Sequence, residues 1–480
     1  MVPITAFKDQ TVAVLGLGRS GLATAAALLA GGARVVGWDD AEARRKAASS
    51  RNVTVAPLTA EVIAGARCLV PSPGIPLHHP APHPAVALAR TARIDVIGDI
   101  ELLAQAAPSA RFAAVTGTNG KSTVTALLGH ILRAAGHDAL TGGNLGLPAL
   151  SLAPPGAGTV YVLELSSYQL DLTATLAPEV AVLINISPDH LDRHGGMDGY
   201  VAAKKRIFAR QRSDQAAVVG VDDPIAAAIC RELRQRGQQR VIPISATGPV
   251  AGGVFAVDGR LIDDTEGRGE AVANLAPIVT LPGMHNWQNA AAAFAAARAL
   301  GVAPGRAAQD LPGYPGLAHR MELVAVIDGV RYVNDSKATN AAAAGQALAC
   351  YDSVYWIVGG RAKQDEWEAL ALHLDGVARA FLIGEASERL ATALTGRVPV
   401  ERSGNLATAV AQASSAALDE GRADPVVLLS PACASFDQFA DFEARGAAFR
   451  TLVEALPGAR GGGGTEAVAT SAPVRAEAFL

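Results

Sequence analysis

Lysine is scarce in this 480-residue chain: Lys8, Lys46, Lys121, Lys204, Lys205, Lys337 and Lys363 are the only ones, and arginine carries the rest of the 41 basic residues. A chain that uses arginine wherever a surface cation suffices keeps lysine where a compact or deprotonable amine is needed. Cysteine is equally sparse. Cys68, Cys230, Cys350 and Cys433 lie far apart without C-x-x-C spacing, which excludes a disulfide scaffold or a zinc knuckle and predicts buried free thiols. Positive charge is not in excess: the formal net charge is −4, so neither nucleic acid nor an anionic membrane is an expected partner. No apolar run is long enough to span a bilayer, and Met1–Gln10 lacks a signal-peptide layout. A cytoplasmic protein without membrane insertion is expected. Half of the residues are hydrophobic, and the length suits about three domains.

What is there begins with Thr116-Gly117-Thr118-Asn119-Gly120-Lys121-Ser122-Thr123, between the apolar run Phe112 to Val115 and an amphipathic run from Val124 to Ala135. Apolar residues at 124, 127, 128, 131 and 132 follow helical spacing, so the stretch reads as strand, loop, helix. Backbone N–H groups close on phosphate oxygens only where side chains are absent, as at Gly117 and Gly120. Lys121 supplies a point charge for outer phosphates, and the hydroxyl of Ser122 or Thr123 can hold a bridging Mg²⁺. The loop is shorter than G-x-x-x-x-G-K-[ST], which would require glycine at Val115.

A second glycine turn precedes it. Thr11 to Leu15 leads into Gly16-Leu17-Gly18-Arg19-Ser20-Gly21 and a helix to Leu29, and the next strand, Arg34 to Trp38, ends in Asp39-Asp40. This is a dinucleotide-type fingerprint. Its glycines specify only a diphosphate at a helix start, so NAD and a UDP-sugar both remain open. Ser72-Pro73-Gly74 is a further turn after an apolar strand, and Ile94 to Ile97 closes the domain.

Beyond the phosphate loop, Asn144 sits in a glycine turn. The strand Thr159 to Leu165 carries Glu164 at its end, followed by Ser166, where a carboxylate can reach Mg²⁺. The strand Val180 to Ile186 ends in Ser187-Pro188-Asp189-His190, and ligands cluster at such carboxyl ends. Tyr200 to Ala209 reads as a helix bearing Lys204-Lys205-Arg206, on composition alone a solvated basic turn. The stretch Gln215 to Pro277 reads as short strands and turns. Asn286 and Asn289, three apart at the start of an alanine-rich helix, share a face that could grip an adenine edge. Leu323 to Ile327 and Arg331 to Val333 form a hairpin leading to Asn334-Asp335-Ser336-Lys337-Ala338-Thr339-Asn340, and Val354 to Val358, Ala380 to Ile383 and Val426 to Leu429 continue a βα series. Gly461 to Leu480 is expected to be disordered.

Taken together, the Thr116–Thr123 loop, Glu164-Leu-Ser-Ser, Asp189-His190-Leu-Asp192, Leu281-Pro-Gly-Met-His285-Asn286 with Asn289, His319-Arg320, Asn334–Asn340 and Ser430-Pro-Ala-Cys-Ala-Ser435-Phe436-Asp437 resemble the Mur ligases. The N-terminal fingerprint and the last two motifs are similar to the D-glutamate-adding branch. The resemblance covers the chain to about Pro457. It implies an α/β fold of three domains: a Rossmann-like UDP-binding domain (1–99), a central P-loop ATPase-like domain with a mainly parallel sheet (100–316) and a C-terminal Rossmann-like amino-acid domain (317–457), before a tail at 458–480.

The activity so implied is ATP-dependent addition of D-glutamate to UDP-N-acetylmuramoyl-L-alanine through an acyl phosphate at the domain junction, in cell-wall precursor synthesis, by a monomer. Lys121, His190, Lys204 and Lys337 would be catalytic. ATP would meet Gly117 to Thr123, Asn286, Asn289, Arg320, Asp335 and Lys337. Two Mg²⁺ ions would engage Ser122, Glu164, His190 and Lys204, the last carrying a CO₂-derived carbamate. The UDP-sugar would contact Gly18, Arg19, Ser20, Asp39, Gly74, Asn144 and Ser166; D-glutamate would contact Thr339, Lys363, Ser435, Phe436 and Phe442. Arg19 and Arg361 depart from the family pattern.

Overall fold

A computed structural model describes residues 1–362 and 367–458. Its strands build three sheets, each wound with helices. The first is five-stranded and parallel, with Thr11–Leu15 at its centre flanked by Arg34–Trp38 and Cys68–Pro71, and Thr54–Val55 and Asp95–Val96 at its edges. The glycine turn after the central strand opens the helix Arg19–Ala30.

The second sheet has nine strands. Arg111–Thr116 lies between Val160–Glu164 and Val180–Leu183, all parallel, with Ala139–Gly143 at one edge. Full burial on both faces explains why these strands are continuous apolar runs rather than alternating ones. The register pairs Val115 with Glu164 and Thr116 with Leu183, which delivers the phosphate loop, Glu164 and the segment after Leu183 to one end of the sheet. That end is the carboxyl edge, where the helix Lys121–Ala134 begins.

The stretch Gln215 to Pro277 is more regular than its sequence suggests. Ala216–Gly220 and Arg240–Ser245 are parallel strands of the same sheet, linked by the helix Pro224–Arg236. Asp223 caps that helix, Pro224 opens it and Gly237 closes it in the left-handed conformation, a set of signals readable in advance. Only Val254–Val257, Arg260–Asp263 and Glu270–Asn274 form the expected short-stranded extension.

The third sheet has six strands, with Glu322–Ile327 antiparallel to Val330–Asn334 and the rest parallel: Val426–Leu429, Val354–Gly359, Val377–Ile383 and Val400–Gly404. Helices Leu406–Asp419 and Phe442–Glu454 bury Val410, Ala413, Phe449 and Val453 against it. By packing, the described residues form two compact units: Met1–Ala273 with Gln288–Leu311, holding the first two sheets, and Asn274–Trp287 with the described residues from Pro312 onward, holding the third. Among the described residues, no helix is long and apolar enough to cross a membrane.

Candidate functional site

In the first unit the phosphate loop is a tight turn whose glycines are dictated by space. Gly120 has φ +82°, and a Cβ there would stand 2.2 Å from Asn289 Oδ1. The Lys121 ammonium curls back to donate to the carbonyls of Gly117 (3.0 Å) and Thr118 (2.7 Å). Ser122, in the first turn of the helix, donates its hydroxyl to Glu164 Oε2 at 2.6 Å, and Asn144 donates to Glu164 Oε1 at 2.6 Å. One buried carboxylate therefore joins the loop hydroxyl to the Asn144 turn. Hydroxyl and carboxylate oxygens in one cluster are the donor set of a hard divalent cation.

Lys204 is not solvated. The side chain is 2% exposed, donates to the Gly117 carbonyl at 2.7 Å and lies 4.7 Å from the Tyr200 ring. Burial pushes its pKa well below the ordinary lysine value, the neighbouring Lys121 charge adds to the shift, and Asp189 and Glu164 oppose it. An amine so placed yields the neutral form that reaction with CO₂ requires. Its neighbours take the conventional surface role: Lys205 pairs with Glu232, and Arg206 donates to the carbonyls of Leu170 and Thr173.

His190 occupies the left-handed N-cap of the short helix Leu191–His194, with Asp189 Oδ2 3.4 Å from its Nε2. A chain of rings leads from it back to the loop: His190 on Tyr168, Tyr168 stacked on His194, His194 on Tyr200, and the Tyr200 hydroxyl 3.0 Å from Thr118 Oγ1. Tyr168, His194 and Tyr200 were not singled out from the sequence. Tyr200 had a signal, standing one helical turn before Lys204.

At the first sheet, Asp39 is 6% exposed and accepts from the N–H groups of Leu17 (2.7 Å) and Ala41 (2.9 Å). It buttresses the glycine turn from below. Ser72 donates to the Gly16 carbonyl at 3.0 Å, and a Cβ on Gly21 would fall 1.8 Å from that same oxygen. Gly18 and Ser20 line the turn, while Arg19 is exposed and donates to the Gly146 carbonyl. Gly74 is exposed and accepts from Arg193 at 2.9 Å. Ser166 caps the helix Ser167–Asp171 in a capping box with Gln169, so its hydroxyl serves the backbone.

Asn286 and Asn289 stand on the helix Met284–Ala299 but in different units. Asn286 Nδ2 donates to the Pro282 carbonyl at 2.9 Å and contacts His285 Nε2; Gln288, between them, donates to Asp222 at 2.7 Å.

In the second unit, Asp335 accepts from Ser430 Oγ (2.9 Å) and the Met321 N–H (3.2 Å), and burial raises its pKa to about 7. The Lys337 ammonium lies 4.1 Å from the Phe442 ring, and the backbone N–H of Lys337 donates to the His319 carbonyl at 3.0 Å. Arg320 and Thr339 are half-buried, Ser435 is buried and Phe436 is 63% exposed. Lys363 lies outside the described residues. Arg361 forms a two-pronged pair with Glu385, which accounts for its departure from the expected turn. Arg445 was missed. Fully buried, it donates to Ser336 Oγ and to the carbonyls of Ser336 and Cys433; Ser336 is 109 residues away, beyond any local pattern.

Fold and loop together define a phosphate-loop α/β protein of the nucleotide-dependent class. Comparison with known proteins narrows the class. Residues 10–98 match the profile of the Mur ligase MurD-like N-terminal domain, 115–297 the Mur ligase middle domain, and 319–433 the Mur ligase glutamate ligase domain. The chain is 52% identical over 475 residues to the UDP-N-acetylmuramoylalanine--D-glutamate ligase of Caulobacter vibrioides, covering 98% of this chain and 100% of that protein. It is 51% identical to the ligase of the same name from Phenylobacterium zucineum, covering 95% and 98%. Among solved structures, the UDP-N-acetylmuramate-alanine ligase MurC of Thermotoga maritima shares the fold at TM-score 0.58 and 16% identity, covering 93% of this chain and 99% of that one. The pseudomurein peptide ligase type C of Methanothermus fervidus does so at TM-score 0.55 and 19% identity, covering 93% and 99%. The chain belongs to the Mur ligase family.

Proposed function

We propose that this chain is an ATP-dependent ligase joining D-glutamate to UDP-N-acetylmuramoyl-L-alanine in peptidoglycan precursor synthesis, acting as a cytoplasmic monomer. The observation that carries the reading is the Ser122–Glu164–Asn144 bridge at the mouth of the phosphate loop. It links a nucleotide loop to the turn expected to meet the UDP-sugar. The named relatives supply the choice of D-glutamate.

The chemistry follows from what the residues can do. A carboxylate is a poor electrophile until one oxygen becomes a leaving group, so the L-alanyl carboxylate is phosphorylated first and the amine of D-glutamate displaces phosphate. ATP supplies the phosphoryl group and Mg²⁺ offsets the charge of two anions meeting. Gly117 to Thr123 would hold the phosphates, with Lys121 as fixed charge. Ser122 and Glu164 would hold one Mg²⁺, and His190 with carbamylated Lys204 the second. Asn286, Asn289, Arg320, Asp335 and Lys337 would contact nucleotide or transferred phosphate. The turn Gly18 to Ser20, Asp39, Gly74, Asn144 and Ser166 would orient the UDP-sugar, directly or through the loop backbone. Thr339, Lys363, Ser435, Phe436 and Phe442 would surround D-glutamate. The domain limits read from the sequence, 1–99, 100–316 and 317–457, belong to this proposal.

The test is ADP and phosphate release by the full chain. Release requiring UDP-N-acetylmuramoyl-L-alanine and D-glutamate together is expected. Coupling of L-lysine or diaminopimelate instead would reassign the amino acid, and nicotinamide-linked turnover would return the N-terminal turn to an oxidoreductase.

A further inference from the structure

The phosphate loop is held by a residue outside all the motifs. Asn185 follows the strand Val180–Leu183 by two positions. Its backbone carbonyl accepts the Thr118 N–H at 3.0 Å, extending a pairing that the Ile184 N–H and Thr116 carbonyl begin at 3.1 Å. Its side-chain Oδ1 then accepts the Thr118 N–H at 3.1 Å and the Asn119 N–H at 2.9 Å. The grip continues two residues on, where Ser187 donates its N–H to Thr118 Oγ1 and accepts that hydroxyl on its carbonyl, both at 3.0 Å.

The seat is fixed from behind. Asp223 accepts the Ile186 N–H at 3.1 Å while capping its own helix through the Ile225 and Ala226 N–H groups. Gly117 packs so closely that a Cβ would lie 3.2 Å from Ile184 Cβ and 3.4 Å from the Asn185 nitrogen. A strand end thus carries one neutral acceptor to the N–H groups of Thr118 and Asn119, and the chemistry suits a carboxamide in particular. An acceptor is needed to hold two N–H groups; a carboxylate would accept them equally well but would add negative charge beside the phosphates.

We infer that Asn185 is a positioning residue for the nucleotide: its uncharged carboxamide oxygen sets the curvature of Thr118–Asn119, and thereby aims the following Gly120–Ser122 segment at the phosphates. This deepens the ATP reading above and rests on it.

The test measures binding of ADP with Mg²⁺ and, separately, of the UDP-sugar by calorimetry on the full chain, with thermal unfolding as control. Asn185→Ala removes two accepted hydrogen bonds, and nucleotide affinity should fall about tenfold while UDP-sugar affinity holds within about twofold. Asn185→Asp keeps the acceptor geometry, so its unfolding midpoint should match the parent. Its nucleotide affinity should fall more steeply than the parent's as Mg²⁺ is withdrawn, because the added charge then faces bare phosphates; a purely structural role would not produce that Mg²⁺ dependence. Unchanged ADP binding in Asn185→Ala, or equal loss of both ligands, overturns the assignment. Absence of ADP binding in the unaltered protein overturns the ATP reading as well, so the two failures are told apart.

Discussion

The two glycine turns at the carboxyl ends of the first and second sheets solve one geometric problem with different electrostatics. In both, a buried parallel strand breaks into glycine, a helix begins, and a side chain from a neighbouring strand end catches the N–H of the residue after the first glycine. At the N-terminal turn that side chain is the carboxylate of Asp39, on the Leu17 N–H. At the phosphate loop it is the carboxamide of Asn185, on Thr118 and Asn119. The cations beside the N-terminal turn are arginines: Arg19 lies within it, Arg44 pairs with Asp39 and Arg45 donates to the Asp39 carbonyl. The other carries Lys121 within its curl and Lys204 beneath it. On the proposed function, a turn that would anchor a diphosphate has a carboxylate on its own N–H groups, whereas a loop that would hold a triphosphate has an uncharged acceptor there, keeps its buried carboxylate, Glu164, on the Ser122 hydroxyl and gathers two lysines.

The largest effect should come from breaking this division of labour. Lys121→Ala should lower kcat by about a thousandfold or more, the scale of losing one transition-state charge partner, while UDP-sugar binding persists. Asp39→Ala should do the reverse: weaker UDP-sugar binding, retained ADP binding, and a stability loss of about 1–3 kcal/mol because the Leu17 and Ala41 N–H groups lose their acceptor. Parallel kinetics and calorimetry on the two variants check the pair. Equal loss of both ligands in either variant would mean that the turns are not functionally separate.

Lys204 sharpens the comparison further. Lys204→Ala should abolish measurable turnover yet leave ADP binding within a fewfold of the parent. With ¹³C-labelled bicarbonate, the parent should show a carbamate resonance that the variant lacks. Turnover at the parent rate, or the same resonance in the variant, would remove Lys204 from the mechanism.

How much of this could be read from the chain depends on how local each interaction is. The phosphate loop, Glu164 and the N-terminal turn were legible because each is a short run whose meaning is set by what immediately precedes and follows it. The residue type and position of Lys204 were legible only through resemblance. Its burial was not, since a Lys-Lys-Arg triplet on a helix looks solvated until the Gly117 carbonyl and the Tyr200 ring close over the first of the three. Asn185 and Arg445 were invisible for the same reason. Asn119 lies 66 residues from Asn185 and Ser336 lies 109 from Arg445, and no period or motif encodes a contact that exists only after distant segments have packed. Asp39 shows the subtler case: its place after the strand Arg34–Trp38 is legible, but its carboxylate is committed to backbone N–H groups of Leu17 and Ala41.

The smallest expected effect compares two acids at strand ends. Burial raises the pKa of Asp39, but the N–H groups of Leu17 and Ala41 and the charge of Arg44 outweigh it and hold the carboxyl below its ordinary value of 3.8. Asp335 has a hydroxyl, one N–H and the more distant Arg320 and Arg445, and burial wins, carrying it from 3.8 to about 7. The signs then differ. Between pH 4 and 7 the unfolded chain has released the Asp335 proton that the folded protein still holds, so this group's contribution to stability is complete below about pH 4 and is lost as pH rises through about 7. Asp39 contributes above its unfolded value, and its contribution is lost as pH falls through the depressed folded one. Urea midpoints of the parent and Asp335→Asn from pH 4 to 8 isolate the first slope, because the amide cannot titrate: relative to the variant, the parent should lose stability steadily toward neutrality. Asp39→Asn should give the opposite trend at acid pH, the parent losing its advantage over the variant as the solution is acidified. A parent that gained on Asp335→Asn with rising pH would show that Asp335 is charged in the folded protein, and the contrast between a solvating turn and a dry strand end would fail there.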